Sequence, residues 1–391
     1  MQESEPIKIL SVDDEEDLKL LMNQKFRSKI RKGIYEFHFA HDGLQALAQL
    51  EKHSDIDIAL CDINMPVMDG LTFLTKINEL QNPFLKTIMV SAYGDMDNIR
   101  AAMNGGAFDF ATKPIDFTDL EQTIEKAIEQ IKFIRKAQET HDQLMAIQSD
   151  LDTARKIQQS ILSTDFDLIS EGSCFEIYAT MNAAKMVGGD FFDFFVVDDN
   201  HLGFLVADVS DKGIPAAIYM AVSHTIIRAT ALRGLSPAAC MNETNNLLGK
   251  GNVESMFVTV FYGILDLYSG NVTYSNAGHD PPYIIDGAGK VVMTEPTKDM
   301  VVGAIEGISY HENEVQLSKG ARLFLFTDGV TEALNPQGEL YMASRLEEIL
   351  SRSQNLSARD LVDKVSANLR QFTSGTGQSD DITMMVVALS P

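Results

Sequence analysis

Cysteine is scarce in this chain of 391 residues: Cys61, Cys174 and Cys240 stand far apart, and none belongs to a CxxC pair. That speaks against a disulfide framework or a zinc site and suits a reducing cytoplasm. No apolar run approaches the roughly 20 residues needed to cross a bilayer. The N-terminus, MQESEPIKIL, lacks a basic region followed by an apolar core, so it does not read as a signal peptide. Cations are outnumbered, 32 Lys and Arg against 56 Asp and Glu, for a net charge of −24. Such a chain repels a phosphate backbone, which argues against a nucleic-acid output domain. The expectation is a soluble, cytoplasmic protein that engages neither membrane nor nucleic acid.

What is present divides into three stretches, and a chain of this length has room for two or three hydrophobic cores. Over residues 6–117, short apolar strands alternate with amphipathic helical segments, the pattern of a doubly wound α/β sheet. IKILSVDD, DIALCDI, TIMVSA and FDFATKP read as strands. In such sheets the chemistry gathers at the carboxyl ends of strands, and Asp13, Asp14, Asp62, Ser91 and Lys113 fall there. Three adjacent carboxylates repel one another unless a divalent cation lies between them, and oxygen ligands suit Mg²⁺. A carboxylate held this way can attack a phosphoryl group and form an acyl phosphate. Lys113, followed by Pro114, can neutralise the added charge, and Ser91 offers it a hydroxyl.

Residues 118–163 form the second stretch. From Phe117 to Leu162 there is neither proline nor glycine, so one long helix is expected. Ile124, Ala127, Ile131 and Ile134 make one apolar row. Ala137, Leu144, Ile147, Leu151, Ala154 and Ile161 make a second at near-heptad spacing, with Gln158 interrupting the seam. So narrow a stripe flanked by charge points to a coiled-coil linker pairing two copies of the chain. The competing explanation is a helix packed on its own domains.

Residues 164–391 return to strands rich in aromatic and β-branched residues, with helical blocks between them and a closing strand, DITMMVVAL. This predicts an α+β domain of packed antiparallel sheets with outer helices. It carries separated acidic motifs: Asp190 and Asp193 in VGGDFFD, Asp208 in VADVSDKG, Asp328 in LFTDGVTE, and Asp380 with Asp381 in SDDIT. Asp-Gly alone is a common turn, and Gly188-Gly189 alone could be any tight turn. In combination, carboxylates without Cys or His favour Mg²⁺ or Mn²⁺. Two such ions about 4 Å apart clamp a phosphate ester for in-line attack.

The segments SVDDEEDL, CDINMPVMDG, VSAYGD and ATKPID resemble a response-regulator receiver domain. That resemblance implies phosphorylation at Asp62, with Asp14 as principal Mg²⁺ ligand, Asp13 beside it, and the carbonyl of Asn64 as a further ligand. It makes Ser91, Phe110 and Lys113 the switch residues. Residues from about 150 to 390, through VGGDFFDFF, VADVSDKGIPAA, YSNAGHDPPY, LFTDGVTEA and SDDITMMVV, are similar to PPM-type, SpoIIE-like serine/threonine protein phosphatases. By that resemblance Asp208 bridges two metals and the carbonyl of Val209 joins the second. Asp328 and Asp380 hold the first, Asp190 holds the second, and Asp381 is a neighbour; Asp193 receives no role. Asp211 stands where the family commonly has glycine, and Asp280 precedes the prolines. His279 reads as a loop-packing residue and His224 as core.

Together these resemblances imply a two-component response regulator. A sensor histidine kinase phosphorylates Asp62, and the receiver then controls a metal-dependent phosphatase acting on a phosphorylated anti-anti-sigma protein. The alternative is a phosphatase-like adaptor that binds a sigma-factor regulator without hydrolysis. A third reading is a receiver-driven dimeric scaffold.

Overall fold

The computed structural model describes residues 5–92, 95–163, 166, 175–250 and 255–389. By its internal contacts the chain divides between Ile147 and Gln148, inside a single helix that runs from Phe117 to Ile161. Cys174 lies outside the described residues, while Cys61 and Cys240 are buried free thiols. Among the described residues no helix is long and apolar enough to cross a membrane.

The first unit is built on five parallel strands, β1 (Ile7–Val12), β2 (Tyr35–Ala40), β3 (Ile58–Asp62), β4 (Lys86–Ala92) and β5 (Asp109–Lys113). Their order is β2-β1-β3-β4-β5. The central strand IALCD is buried at every position, as a parallel sheet covered on both faces requires. Alternation sends Leu10, Val12, Ala59, Cys61 and Met89 to one core, and Ile9, Ile58, Leu60 and Ile88 to the other. Leu120, Ile124, Ala127 and Ile131 of the long helix complete that second core.

The expected helix is therefore continuous, but its two apolar rows have different fates. In the first, Ile124, Ala127 and Ile131 are buried in the first unit, and Ile134 is half-buried. In the second, Leu144 is 61% exposed and Ile147 57% exposed in the single chain. Gln158, which interrupts the seam, is buried, and so is Leu162.

The second unit stacks two antiparallel five-stranded sheets. One contains β7 (Phe191–Asp198), β8 (His201–Val209), β9 (Val258–Asp266), β10 (Asn271–Ala277) and β13 (Asn313–Gln316), in the order β13-β10-β9-β8-β7. The other contains β6 (Phe175–Asn182), β11 (Tyr283–Ile285), β12 (Val291–Met293), β14 (Arg322–Phe326) and β15 (Ile382–Leu389), in the order β12-β11-β14-β15-β6. Period-two alternation makes β14 and β15 serve two cores. Leu323, Leu325, Met385 and Val387 face the sheet-sheet core, whereas Phe324, Phe326, Met384 and Val386 meet helices Met342–Ser351 and Ala358–Phe372. Helices Ile214–Ala231 and Pro237–Gly249 pack on the first sheet through Met220, Ile227, Met241 and Leu248. The result is an α-β-β-α sandwich, the architecture expected from the sequence.

Candidate functional site

Each unit carries an acidic site at strand ends. In the first, Asp13 and Asp14 follow β1 and Asp62 closes β3, neighbouring strands of the sheet. One carboxylate oxygen from each of the three lies within 4.8 Å of the others. Asp13 and Asp62 are buried and Asp14 is exposed. Lys113, at the end of β5, places Nζ 2.6 Å from Asp62 Oδ2, 2.9 Å from Asp13 Oδ2 and 3.1 Å from Glu15 Oε1. Burial pushes the Asp13 carboxyl above its ordinary range, against the opposing pull of Lys113. Lys113 is itself held more basic, because its carboxylate partners outweigh the cost of its partial burial.

Ser91, on β4, is fully buried and its hydroxyl has no hydrogen-bond partner in this state. A buried hydroxyl without a partner is costly unless a ligand supplies one. The Asn64 amide donates to Asp62 Oδ1 at 3.2 Å, which places that loop over the carboxylate. Phe110 is 36% exposed on β5.

In the second unit, strand register assembles the site. Phe191 pairs with Ala207, so Asp190, just before β7, comes beside Asp208 near the end of β8. Phe326 pairs with Met384, so Asp328, just past β14, comes near Asp380 and Asp381 at the start of β15. Thr327 ties the two pairs together. Its hydroxyl donates to Asp190 Oδ2 at 2.7 Å and accepts from the Thr383 amide at 3.0 Å.

Asp190 is 1% exposed. Burial, then the charge of Asp208, pushes its carboxyl well above the ordinary range. Burial and the charge of Asp328 bring Asp208 up to about 7. Burial and Asp380 bring Asp328 up to about 6, with Glu332 and Asp280 adding to it. Asp208 thus raises Asp190 and Asp328 raises Asp208, and none of these three carboxylates has a salt-bridge partner among the described residues; hard divalent cations are the counter-charge that an all-oxygen donor set accepts. The donor set therefore fits Mg²⁺ or Mn²⁺.

The gathering is looser than in the first unit. Among the described residues, only Asp13, Asp14 and Asp62 bring three ligand oxygens mutually within 4.8 Å. Two contacts account for this. Lys212 takes Asp380, with Nζ 2.7 Å from Oδ2, and also donates to the Ser379 carbonyl at 2.9 Å. Asp381 is occupied by backbone, Oδ1 accepting from Ala184 N at 2.7 Å and Oδ2 from Gly189 N at 2.6 Å. Asp381 thus pins the loop that carries Asp190. Close approach there demands glycine: a Cβ on Gly188 would meet Asp381 Oδ2 at 2.4 Å, and one on Gly329 would meet the Asp381 carbonyl at 1.9 Å.

Several functional contacts were not legible in the motifs. Lys212, Thr327 and Glu332 sit inside VSDKG and LFTDGVTE, yet only the assembled register shows what they touch. By heptad spacing Gln158 only interrupts an apolar seam. Its side chain instead donates from Nε2 to the Gly188 carbonyl at 2.6 Å and accepts from the Gly188 amide at 3.1 Å. Asp193 is fully buried against Arg228, whose Nη1 lies 2.6 and 2.7 Å from its two oxygens, with His224 Nε2 at 3.0 Å and the Ser163 hydroxyl completing the set. Burial would raise this carboxyl, but those partners hold it below the ordinary range. His224 is core, as expected, but core with a carboxylate to satisfy. His279 is buried, with Nδ1 2.9 Å from Thr259 Oγ1, and burial lowers it to about 4, so it packs the loop as a neutral ring. Asp211 adopts φ 73°, the left-handed region, which is the physical reason glycine is common at that position.

Residues 9–125 match the family described as the response regulator receiver domain, and residues 198–390 match stage II sporulation protein E. The second match begins after Asp190, so the VGGDFFD loop rests on geometry. Protein IcfG of Synechocystis is 29% identical over 282 residues, covering 64% of this chain and 43% of its own length. Phosphoserine phosphatase RsbU of Bacillus subtilis is 28% identical over 255 residues, covering 64% of this chain and 74% of its own. The chain thus spans less than half of IcfG. The solved SiaA-PP2C domain of Pseudomonas aeruginosa superposes with a TM-score of 0.56 at 21% identity, covering 62% of this chain and 97% of that one.

Proposed function

Because the chain joins a response-regulator receiver domain to a SpoIIE-type PP2C phosphatase domain, we propose that phosphorylation of Asp62 controls its hydrolysis of phosphoserine or phosphothreonine on a protein. The partner upstream is a sensor histidine kinase. Asp62 Oδ attacks the phosphorus of a phosphohistidine; the P–O bond forms, the P–N bond breaks, and the imidazole regains a proton. Lys113 stands ready to pair with the new dianion, and the unpartnered Ser91 hydroxyl to donate to it. Asp13, Asp14, Asp62 and the Asn64 carbonyl would hold Mg²⁺ there.

In the second domain, Asp190, Asp208, the Val209 carbonyl, Asp328 and Asp380 would hold two Mg²⁺ or Mn²⁺ ions, with Asp381 fixing the Asp190 loop. Such ions neutralise the phosphoryl oxygens and lower the pKa of bound water. The chain's own part is to hold these carboxylates close together, with Lys212 paired to Asp380. In the net reaction, water oxygen bonds to phosphorus, the ester P–O bond breaks, and the serine or threonine leaves as its alcohol.

The observation that carries this reading is the convergence of Asp190, Asp208, Asp328 and Asp380 at paired strand ends, where Asp208 raises Asp190, Asp328 raises Asp208 and Asp380 raises Asp328. RsbU, by its name a phosphoserine phosphatase, supports the substrate class. An anti-anti-sigma protein in a partner-switching pathway is the substrate we infer, with cytoplasmic action and a homodimer formed through the exposed row at Leu144 and Ile147. The test is turnover of a phosphoserine peptide with Mn²⁺, with and without beryllofluoride at Asp62. Metal-dependent turnover that changes with beryllofluoride, and that Asp208→Asn abolishes, is expected. No turnover despite bound Mn²⁺ would favour a binding adaptor.

A further inference from the structure

A cavity of about 350 Å³ lies beside the phosphatase acids, and its lining inverts the character of the chain. The protein carries a net charge of −24, yet among the described residues no Asp or Glu lines this cavity, whereas Arg155 and Arg370 both do. Neither arginine has a salt-bridge partner among the described residues, although Arg352 and Arg359, elsewhere on this unit and also exposed, each lie within 4.0 Å of a carboxylate four residues away. Arg370 sits in the last turn of helix Ala358–Phe372, where the helix dipole also favours a cation. That accounts for one arginine, not for two converging from different helices.

The wall is also built. Ser366 and Arg370 face it at i and i+4 of one helix. The loop leading into β15 is pinned by Gln378, whose Nε2 donates to the carbonyls of Asn182 at 2.8 Å and Asp380 at 2.7 Å. Gly329 and Ser379 form the edge towards the acids, each one residue from Asp328 or Asp380. A peptide whose phosphoserine reaches those aspartates therefore lays its neighbouring residues across the cavity. Elsewhere the acidic surface repels an acidic segment; here two unpaired guanidinium groups attract one.

We propose that the Arg155–Arg370 cavity is a subsite for carboxylate side chains flanking the phosphorylated residue of a protein substrate. This rests on the phosphatase reading above, and it adds a substrate class: phosphoproteins whose phosphosite lies in an acidic stretch. Because Arg155 belongs to the long helix, the helix contributes one wall of the subsite.

The test uses the full chain with Mn²⁺ and two fluorescent phosphoserine peptides, one flanked on both sides by glutamate and one by asparagine and serine. The ratio of their kcat/KM values on one preparation does not depend on how much of it is folded. The wild-type protein should prefer the acidic peptide, and the preference should fade with added salt. The double variant Arg155→Glu with Arg370→Glu should lose the preference by roughly tenfold, and the double lysine variant should retain most of it. An unchanged ratio in the glutamate variant, or no acidic preference in the wild type, overturns the subsite. If the wild type turns over neither peptide, the phosphatase reading fails by itself. Fluorescence anisotropy with the same peptides then decides the subsite: tighter binding of the acidic peptide, lost in the glutamate variant, upholds it, and equal binding overturns it.

Discussion

Removing the side chain of Gln158 should loosen the loop that carries Asp190. Gln158 is 6% exposed, and its amide group satisfies both the N–H and the C=O of Gly188. Gly188 and Gly189 lead directly into Asp190, and the Gly189 amide donates to Asp381 Oδ2 at 2.6 Å. Gln158→Ala would leave two buried backbone groups without partners. Each such group costs about 1–3 kcal/mol, so the seated state should lose about 2–6 kcal/mol, or roughly 30- to 20,000-fold in its population relative to the open loop.

Hydrogen exchange read by mass spectrometry over the peptide from Val187 to Phe192 reports this directly. The Gly189 amide should exchange faster by a factor in that range, and Mn²⁺ affinity should fall with it. Strand β3 of the receiver should not change. Gln158→Glu keeps the acceptor for the Gly188 amide but sets an oxygen against the Gly188 carbonyl, so it should be at least as damaging. If only the Gly188 amide changed, with Gly189 and Mn²⁺ affinity untouched, Gln158 would be a passive passenger on the loop and the reasoning would be refuted.

Two further outcomes follow from the same site. Asp208 at about 7 and Asp328 at about 6 both lie above the ordinary carboxylate value. Their contribution to the stability of the metal-free domain is therefore fully present below the ordinary value and lost as pH rises through about 6 to 7. A divalent cation binds the deprotonated groups, so Mn²⁺ affinity should rise between pH 5.5 and 8, with proton release visible in calorimetry as a buffer-dependent heat; equal affinity at both ends would contradict the assignment. Asp211→Gly relieves the left-handed backbone at φ 73° and should leave thermal stability unchanged or raise it by about 1 kcal/mol; a clear loss would mean that the Asp211 carboxylate, which accepts from the Lys212 amide at 2.8 Å, outweighs the strain.

How much of this was readable beforehand depends on the range over which each signal acts. Strand-end carboxylates in a parallel sheet are a local signal. IKILSVDD and DIALCDI announce both the strands and the side on which their acids emerge, and β1 and β3 pair as neighbours. The antiparallel sandwich is harder to read. Asp190 meets Asp208 only because Phe191 pairs with Ala207, and Thr327 reaches Asp190 across 137 residues of sequence. No periodicity encodes that register, so the motifs show their acids but not the contacts that Lys212 and Thr327 make.

Gln158 shows the converse error. Heptad logic treats a polar residue on an apolar seam as a concession to specificity or register. Here the polar group lies where the helix leaves its solvent-exposed stretch, and it is matched to a glycine backbone that a side chain would have shielded. The same glycine leaves no room for a Cβ beside Asp381, whose two oxygens hold the amides of Ala184 and Gly189. Glycine at position 188 therefore answers two demands at once, contact with the helix on one side and closeness to a carboxylate on the other. A displacement of the helix end at Gln158 would be felt at Asp190 through three consecutive residues, with no rearrangement of the sheets required.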